Sequence, residues 1–263
     1  MTAISLYAKP SPDFARKLAR SLALIKSAAA TYSPLAQASS LGAEDVVVTH
    51  LLREAGIDAS IFVLDTRMLH AETLALIGRI EARYRRKIDI YQPAPDVAAA
   101  FVQANGDDAM YKSLDLRKQC CHFRKMEPLA RALAGKKGWF TGLRREQSAA
   151  RAEVHDIEQL ERAKINPLAD WTQGDVWHCI AVNDIPYNPL HDQFFPSIGC
   201  APCSRAVTLG EDFRSGRWWW ENESAKECGL HVAADGTHEA QEPAAFEPLS
   251  SIIPVREIRE TSA

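Results

Sequence analysis

The chain reads as an α/β protein built on a doubly wound, mainly parallel sheet. Short apolar segments alternate with helical stretches of ten or more residues from residue 35 to about 93. Each apolar segment ends in a turn marked by small, polar or proline residues. The 263 residues are long enough for one large domain with a substantial tail.

In order, residues 13–30 (DFARKLARSLALIKSAAA) carry Ala and Leu at helical spacing, with Asp13 placed to cap the start. After the Ser33-Pro34 break, LAQASS predicts a short strand that runs into the small turn Ser39-Ser40-Leu41-Gly42. AEDVVVTHLLREAG predicts a helix closing at Gly56, although its Val run alone would suit a strand. ASIFVLD is a strand, HAETLALIGRIEARY a helix, and KIDIYQP a strand ended by Pro93 and Pro95. KKGWFTG is a further strand. Thr172 is the expected N-cap of the helix TQGDVWHCIAVND, whose Val176, Trp177 and Ile180 turn inward with Cys179 as a buried small hydrophobe. From residue 204 the composition turns charged and irregular. That predicts an α/β body over 1–203 and a mobile tail over 204–263, without internal repeats.

Ligands of such sheets sit beyond the carboxyl ends of the strands. Residues 39–45, 64–66 and 141–145 end there. The SSLGAED turn offers backbone N–H groups at a helix start, an anion cradle that an ordinary strand–helix turn would also resemble. Basic residues cluster at Arg117, Lys118, Arg124 and Lys125, and again at Arg144, Arg145 and Arg151. Such clusters form either solvated faces or an anion site. A net charge of −3 gives no case for general nucleic-acid binding. The N-terminus lacks a secretion signal and no apolar run reaches a membrane span, so a cytoplasmic location without membrane partners is expected.

The cysteines carry the chemistry. Cys120-Cys121 and Cys200-x-x-Cys203 form two clips that together supply four thiolates. Zinc clips normally have two to four residues between the cysteines, and an adjacent pair fits tetrahedral closure poorly. A [4Fe–4S] cubane presents its irons at separate corners, so neighbouring cysteines can reach different irons. The cluster is therefore favoured over zinc and over four free buried thiols. Cys228, in the polar context ECGLH, is left as a candidate nucleophile.

Together these motifs resemble the assimilatory sulfonucleotide reductases, specifically the bacterial adenylyl-sulfate (APS) reductases. The likeness runs from about residue 35 to 231 through SSLGAED, LDTRML, KQCCHFRKMEPL, FTGLRREQSAAR, NPLADWTQGDVW, IPYNPLHDQFFPSIGCAPCSR and GRWWWE…ECGLH. Relatives acting on the 3′-phosphorylated substrate (PAPS) keep ECGLH but lack both cluster pairs. In LDTRML, Arg67 stands where the family more often has glycine.

The resemblance implies an adenine-nucleotide α-hydrolase-like fold and conversion of APS to sulfite and AMP by thioredoxin, in sulfate assimilation and cysteine biosynthesis. It implies that Cys228 becomes an S-sulfocysteine and that Cys120, Cys121, Cys200 and Cys203 hold the [4Fe–4S] cluster. Because both electrons would arrive through thiol exchange, the cluster is read as structural and electrostatic. Lys125 bridges cluster and substrate charge, and His231 binds substrate or tunes the thiolate, on one face with Cys228 if that stretch is helical. Lys125, Arg144 or Arg145, Arg151, Arg214 and Arg217 are assigned to the phosphate and sulfate, and Ser39, Ser40, Leu64 and Gly142 to the nucleotide. The Trp218-Trp219-Trp220 run suits a thioredoxin dock, a hinge anchor or simple core packing. A homo-oligomer stays open. Rival readings are a PAPS reductase, a sulfur-transfer ATP pyrophosphatase-like enzyme, whose SGGxDS loop this chain lacks, and a non-enzymatic Cys₄ module.

Overall fold

The computed structural model describes residues 1–208 and 210–222. Its helices are α1 (Ala3–Tyr7), α2 (Phe14–Tyr32), α3 (Ala43–Glu54), α4 (Ala71–Tyr84), α5 (Pro95–Asn105), α6 (Ala109–Lys112), α7 (Leu114–Cys121), α8 (Glu127–Ala132) and α9 (Gln173–Val182). Its strands are β1 (Leu35–Ala38), β2 (Ser60–Leu64), β3 (Ile88–Tyr91), β4 (Gly138–Phe140), β5 (Ile157–Glu158) and β6 (Ala163–Ile165). They form one sheet of order β3-β2-β1-β4-β6-β5, parallel throughout except for β5 against β6.

Side chains alternate across a strand, so neighbours in sequence serve opposite faces. Leu35, Ile61, Val63 and Phe140 pack with α2, α3, α4 and α9, while Ala36, Phe62 and Trp139 pack with Leu129, Ala132 and Leu133. Both faces are apolar because both are covered, as a doubly wound sheet requires. The winding reverses between β1 and β4, and their carboxyl ends open the crevice where such folds bind ligands.

Most elements match the sequence reading within a few residues. Thr172 caps α9, accepting from the Asp175 N–H at 3.0 Å while the Asp175 carboxylate accepts from the Thr172 N–H at 2.9 Å. Asp13 sits at the start of α2 without capping it; its carboxylate accepts instead from the Ser11 hydroxyl at 2.9 Å and pairs with Lys17 at 3.4 Å. The antiparallel β5–β6 edge is an addition that the short segments around residues 154–165 did not signal. Between α7 and α8, residues His122–Met126 form one π-helical turn directly after the adjacent cysteines.

Among the described residues, those following 203 pack on the body rather than leaving it. Ser204 bridges Arg217, the Arg205 N–H donates to the Gly216 carbonyl at 3.0 Å, and Trp218 is 1% exposed. The charged composition after 204 hides this because Arg214 and Arg217 are themselves buried. Cys228 and His231 lie outside the described residues. Among the described residues no helix is long and apolar enough to cross a membrane.

Candidate functional site

The β1 loop turns at Leu41, which adopts φ 61° and brings Ser40 back over the start of α3. The Ser40 N–H and hydroxyl both donate to the Asp45 carboxylate at 2.6 Å. The expected anion cradle thus carries an internal carboxylate on its Ser40 amide. Burial pushes the Asp45 carboxyl up to about 6, against the lowering effect of the Ser40 bonds. Beneath it, fully buried Gln37 donates to the Asp45 carbonyl at 2.7 Å and accepts from Thr49 at 2.9 Å.

The β4 loop approaches the same helix start. A side chain at Gly142 would meet Asp45 Oδ1 at 2.5 Å, so glycine is what allows the two loops to touch. Arg144, 1% exposed, does not face the crevice. Its Nε and Nη2 donate to Glu44 Oε1 at 3.0 and 2.9 Å, and its Nη1 donates to Glu146 at 2.8 Å. Burial raises the Glu44 carboxyl, but Arg144 and the surrounding hydrogen bonds hold it below its ordinary value. Arg145 turns elsewhere, to Asp170, to Asp156 at 3.5 Å and to the Val154 carbonyl at 2.7 Å. Both arginines tie loops together by ion pairing. Arg151 remains at the crevice, donating to Gln147 Oε1 at 2.6 Å.

The β2 loop carries the crevice to the cysteines. Thr66 Oγ1 lies 3.2 Å from Cys200 Sγ, and the Ala201 N–H donates to the Met68 carbonyl at 2.7 Å. Cys120, Cys121, Cys200 and Cys203 are all buried free thiols in one cluster with Met110 and Trp218. Burial pushes the Cys203 thiol up to about 12, with Cys200 adding to the rise and Lys125 opposing it. Burial also raises Cys120, with Arg124 opposing. Among the described residues no group of three or more His, Cys, Asp or Glu is gathered closely enough for a single metal ion.

The donor chemistry nevertheless fits a thiolate-held cluster. The four cysteines belong to one buried cluster of packed side chains, and cations lie beside it. Trp218 Nε1 and Arg124 Nε are buried donors left without a partner among the described residues, a cost that acceptor sulfurs would relieve. Arg117, Arg217 and Lys125 stand 4.9, 4.5 and 5.8 Å from the Trp218 ring.

A solvent-open cavity of about 200 Å³ joins these parts. Of the expected residues, Ser39, Ser40, Leu64, Lys125, Gly142, Arg151, Arg214, Arg217 and Cys200 line it. Sequence reasoning missed Asp45, Gln147 and His191, which also line it. The His191 Nδ1–H donates to the Phe195 carbonyl at 2.8 Å, and burial lowers its proton affinity. Nothing in its spacing marks it, because its place depends on a loop fold distant from the strands. Cys179, as expected, is buried away from this centre in α9.

The model of the phosphoadenosine phosphosulfate reductase domain matches residues 34–206. An adenosine 5′-phosphosulfate reductase from Burkholderia cepacia is 49% identical over 84% of this chain and 90% of its own length. One from Allochromatium vinosum is 54% identical over 74% of this chain and 77% of its own. The phosphoadenylyl-sulfate reductase of Candida auris, solved as a phosphate complex, superposes with a TM-score of 0.60 at 27% identity, covering 71% of this chain and 90% of that one. An FMN adenylyltransferase of Candida glabrata, at 13% identity and a TM-score of 0.53, covers 86% of this chain and 80% of its own and shares the fold alone. The expected adenine-nucleotide α/β fold is thus borne out, and the chain belongs to the phosphoadenosine phosphosulfate reductase domain family.

Proposed function

We propose that the chain reduces adenosine 5′-phosphosulfate to sulfite and AMP, as a cytoplasmic enzyme of sulfate assimilation and cysteine biosynthesis. The observation that carries this reading is that one cavity joins the β1 and β4 nucleotide loops to the cysteine centre. Cys200 lines the cavity and belongs to that centre, while Lys125, Arg151, Arg214 and Arg217 supply positive charge on the same walls. The names of relatives at 44–54% identity support APS as the substrate.

In this reading the adenosine lies against Ser39, Ser40, Leu64 and Gly142, and the arginines hold the phosphate and sulfate oxygens through forked donors. The Cys228 thiolate attacks the sulfate sulfur; the bond from that sulfur to the bridging oxygen breaks and AMP leaves with its electron pair. Cations around the sulfate disperse the charge that develops. A thioredoxin thiolate then attacks Cys228 Sγ, and sulfite leaves with the electrons of the broken S–S bond. The partner's second thiol opens the mixed disulfide, so the dithiol supplies both electrons. His231 is assigned to substrate binding or to tuning the Cys228 thiolate. Cys120, Cys121, Cys200 and Cys203 would hold a [4Fe–4S] cluster, whose chemistry there would be structural and electrostatic: a cross-link between α7 and the 200–203 loop and, with four thiolate ligands, a net negative centre that the neighbouring cations balance. Its ligands need to reach separate irons rather than one point.

Mixing the protein with APS in the absence of reductant tests the reading: a sulfonate adduct on Cys228 is expected by mass spectrometry. Sulfite production by Cys228→Ser would defeat the mechanism, and a strong rate preference for PAPS would defeat the substrate assignment.

A further inference from the structure

Arg117 is 1% exposed on α7, three residues before Cys120. Its Nε donates to Glu221 Oε1 at 2.8 Å and its Nη2 to Glu221 Oε2 at 2.7 Å, a forked pair. The Glu221 side chain is 7% exposed. The pair therefore sits out of water, seven residues before Cys228 in sequence. Around it the chain is locked: the Glu221 N–H donates to the Trp218 carbonyl at 2.8 Å, and the Arg217 N–H donates to the Arg214 carbonyl at 2.8 Å. The Trp218 ring is shared between Arg117 on α7 and Arg217 on the cavity wall.

We propose that the Arg117–Glu221 pair anchors the segment bearing Cys228, so that both are positioning residues for attack on the substrate sulfur. This rests on Cys228 being the nucleophile. Cys228 follows Glu221 by seven residues, so a fixed Glu221 confines the thiol to about 25 Å of the anchor, at roughly 3.5 Å per residue. The anchor is tied through Trp218 to Arg217, so it places the origin of that tether beside the cavity's cationic wall. Thiol and bound sulfate are then held at high effective concentration. A buried pair in this place also has a reason to be ionic: charge and fork geometry specify one seating of the segment, which an apolar contact would not.

The test compares wild type with Glu221→Gln, Glu221→Ala, Glu221→Asp and Arg117→Lys. Single-turnover formation of the Cys228 sulfonate without reductant gives the rate. APS affinity is measured in a Cys228→Ser background, and amide exchange over residues 216–222 is followed by mass spectrometry. Glu221→Gln is expected to slow adduct formation at least tenfold, and Glu221→Ala by about 10²-fold. APS affinity should stay within about twofold while exchange at 216–222 accelerates. Glu221→Asp, which keeps the charge, should recover most of the rate. Adduct formation at the wild-type rate in both Gln and Ala variants overturns the anchor. So does a parallel loss of APS affinity and rate, which marks a merely structural pair. Absence of any adduct in wild type overturns the nucleophile assignment itself, and the anchor with it.

Discussion

Replacing Gly199 with alanine tests how Arg217 is seated. A Cβ there would lie 2.5 Å from Arg217 Cζ and 2.9 Å from Nη1. Ordinary contact begins near 3.4 Å, so the guanidinium has to retreat by about 1 Å. It has little room, being 7% exposed, with its Nε donating to the Cys203 carbonyl at 3.2 Å and its Cζ 4.5 Å from the Trp218 ring centroid. The strain costs about 1–3 kcal/mol of stability. If Arg217 holds the anionic end of the substrate, the displaced charge-assisted bond is worth about 1.5–3 kcal/mol, or roughly 10- to 150-fold in affinity. Calorimetric titration of APS into Gly199→Ala in a Cys228→Ser background measures it, with thermal unfolding as the control. Adding Arg217→Ala to Gly199→Ala should cost little more, since both remove one contact. Full APS affinity in Gly199→Ala beside a large loss in Arg217→Ala would refute the reasoning.

Asp175 is fully buried and accepts from the Ser11 N–H at 2.7 Å and Lys17 Nζ at 3.0 Å. Asp175→Ala should remove about 3 kcal/mol and lower Tm by roughly 6–12 °C in a scan. Burial raises that carboxyl, but hydrogen bonds from Thr172, Ser11 and Lys17 bring it down to about 2, below its usual 3.8. Its contribution is therefore complete above pH 4 and is lost as pH falls towards 2, a slope that acid titration should show flattened in Asp175→Asn. Arg67 adopts φ 61° in an exposed turn; Arg67→Gly should raise stability by up to about 1 kcal/mol in urea unfolding. Cys203→Ser should abolish visible absorbance and bound iron after anaerobic purification, whereas Cys179→Ala, removed from the centre in α9, should keep both.

The local rules of the chain carried far. Alternation of apolar runs with helical spacing identified β1 to β4 and their helices, because the central strands β1, β2 and β4 are covered on both faces and so are largely apolar. The edge strand β3 keeps Ile88 buried and leaves Asp89 and Ile90 exposed. Thr172 was legible as a cap because its capping box is complete within four residues. The two cysteine clips were legible for the same reason: adjacency and a CxxC spacing constrain chemistry locally. Arg144 and Arg145 were not legible as loop ties, since their partners Glu44 and Asp170 lie 100 and 25 residues away in sequence. Only the folded sheet shows which arginine ends face the cavity and which are consumed by carboxylates.

Residues 204–222 show the limit most clearly. Composition there is charged, and charge read alone predicts solvent. In the fold, Arg117 takes Glu221 and lies over Trp218, so charges and rings bury one another. The sequence by itself determined the fold class, the thiol pairs and the strand-end loops, because periodicity and spacing act within a few residues. Tertiary structure decided which cations reach the cavity and how residues 204–222 are held, because ion pairs and close approaches join residues that spacing cannot relate.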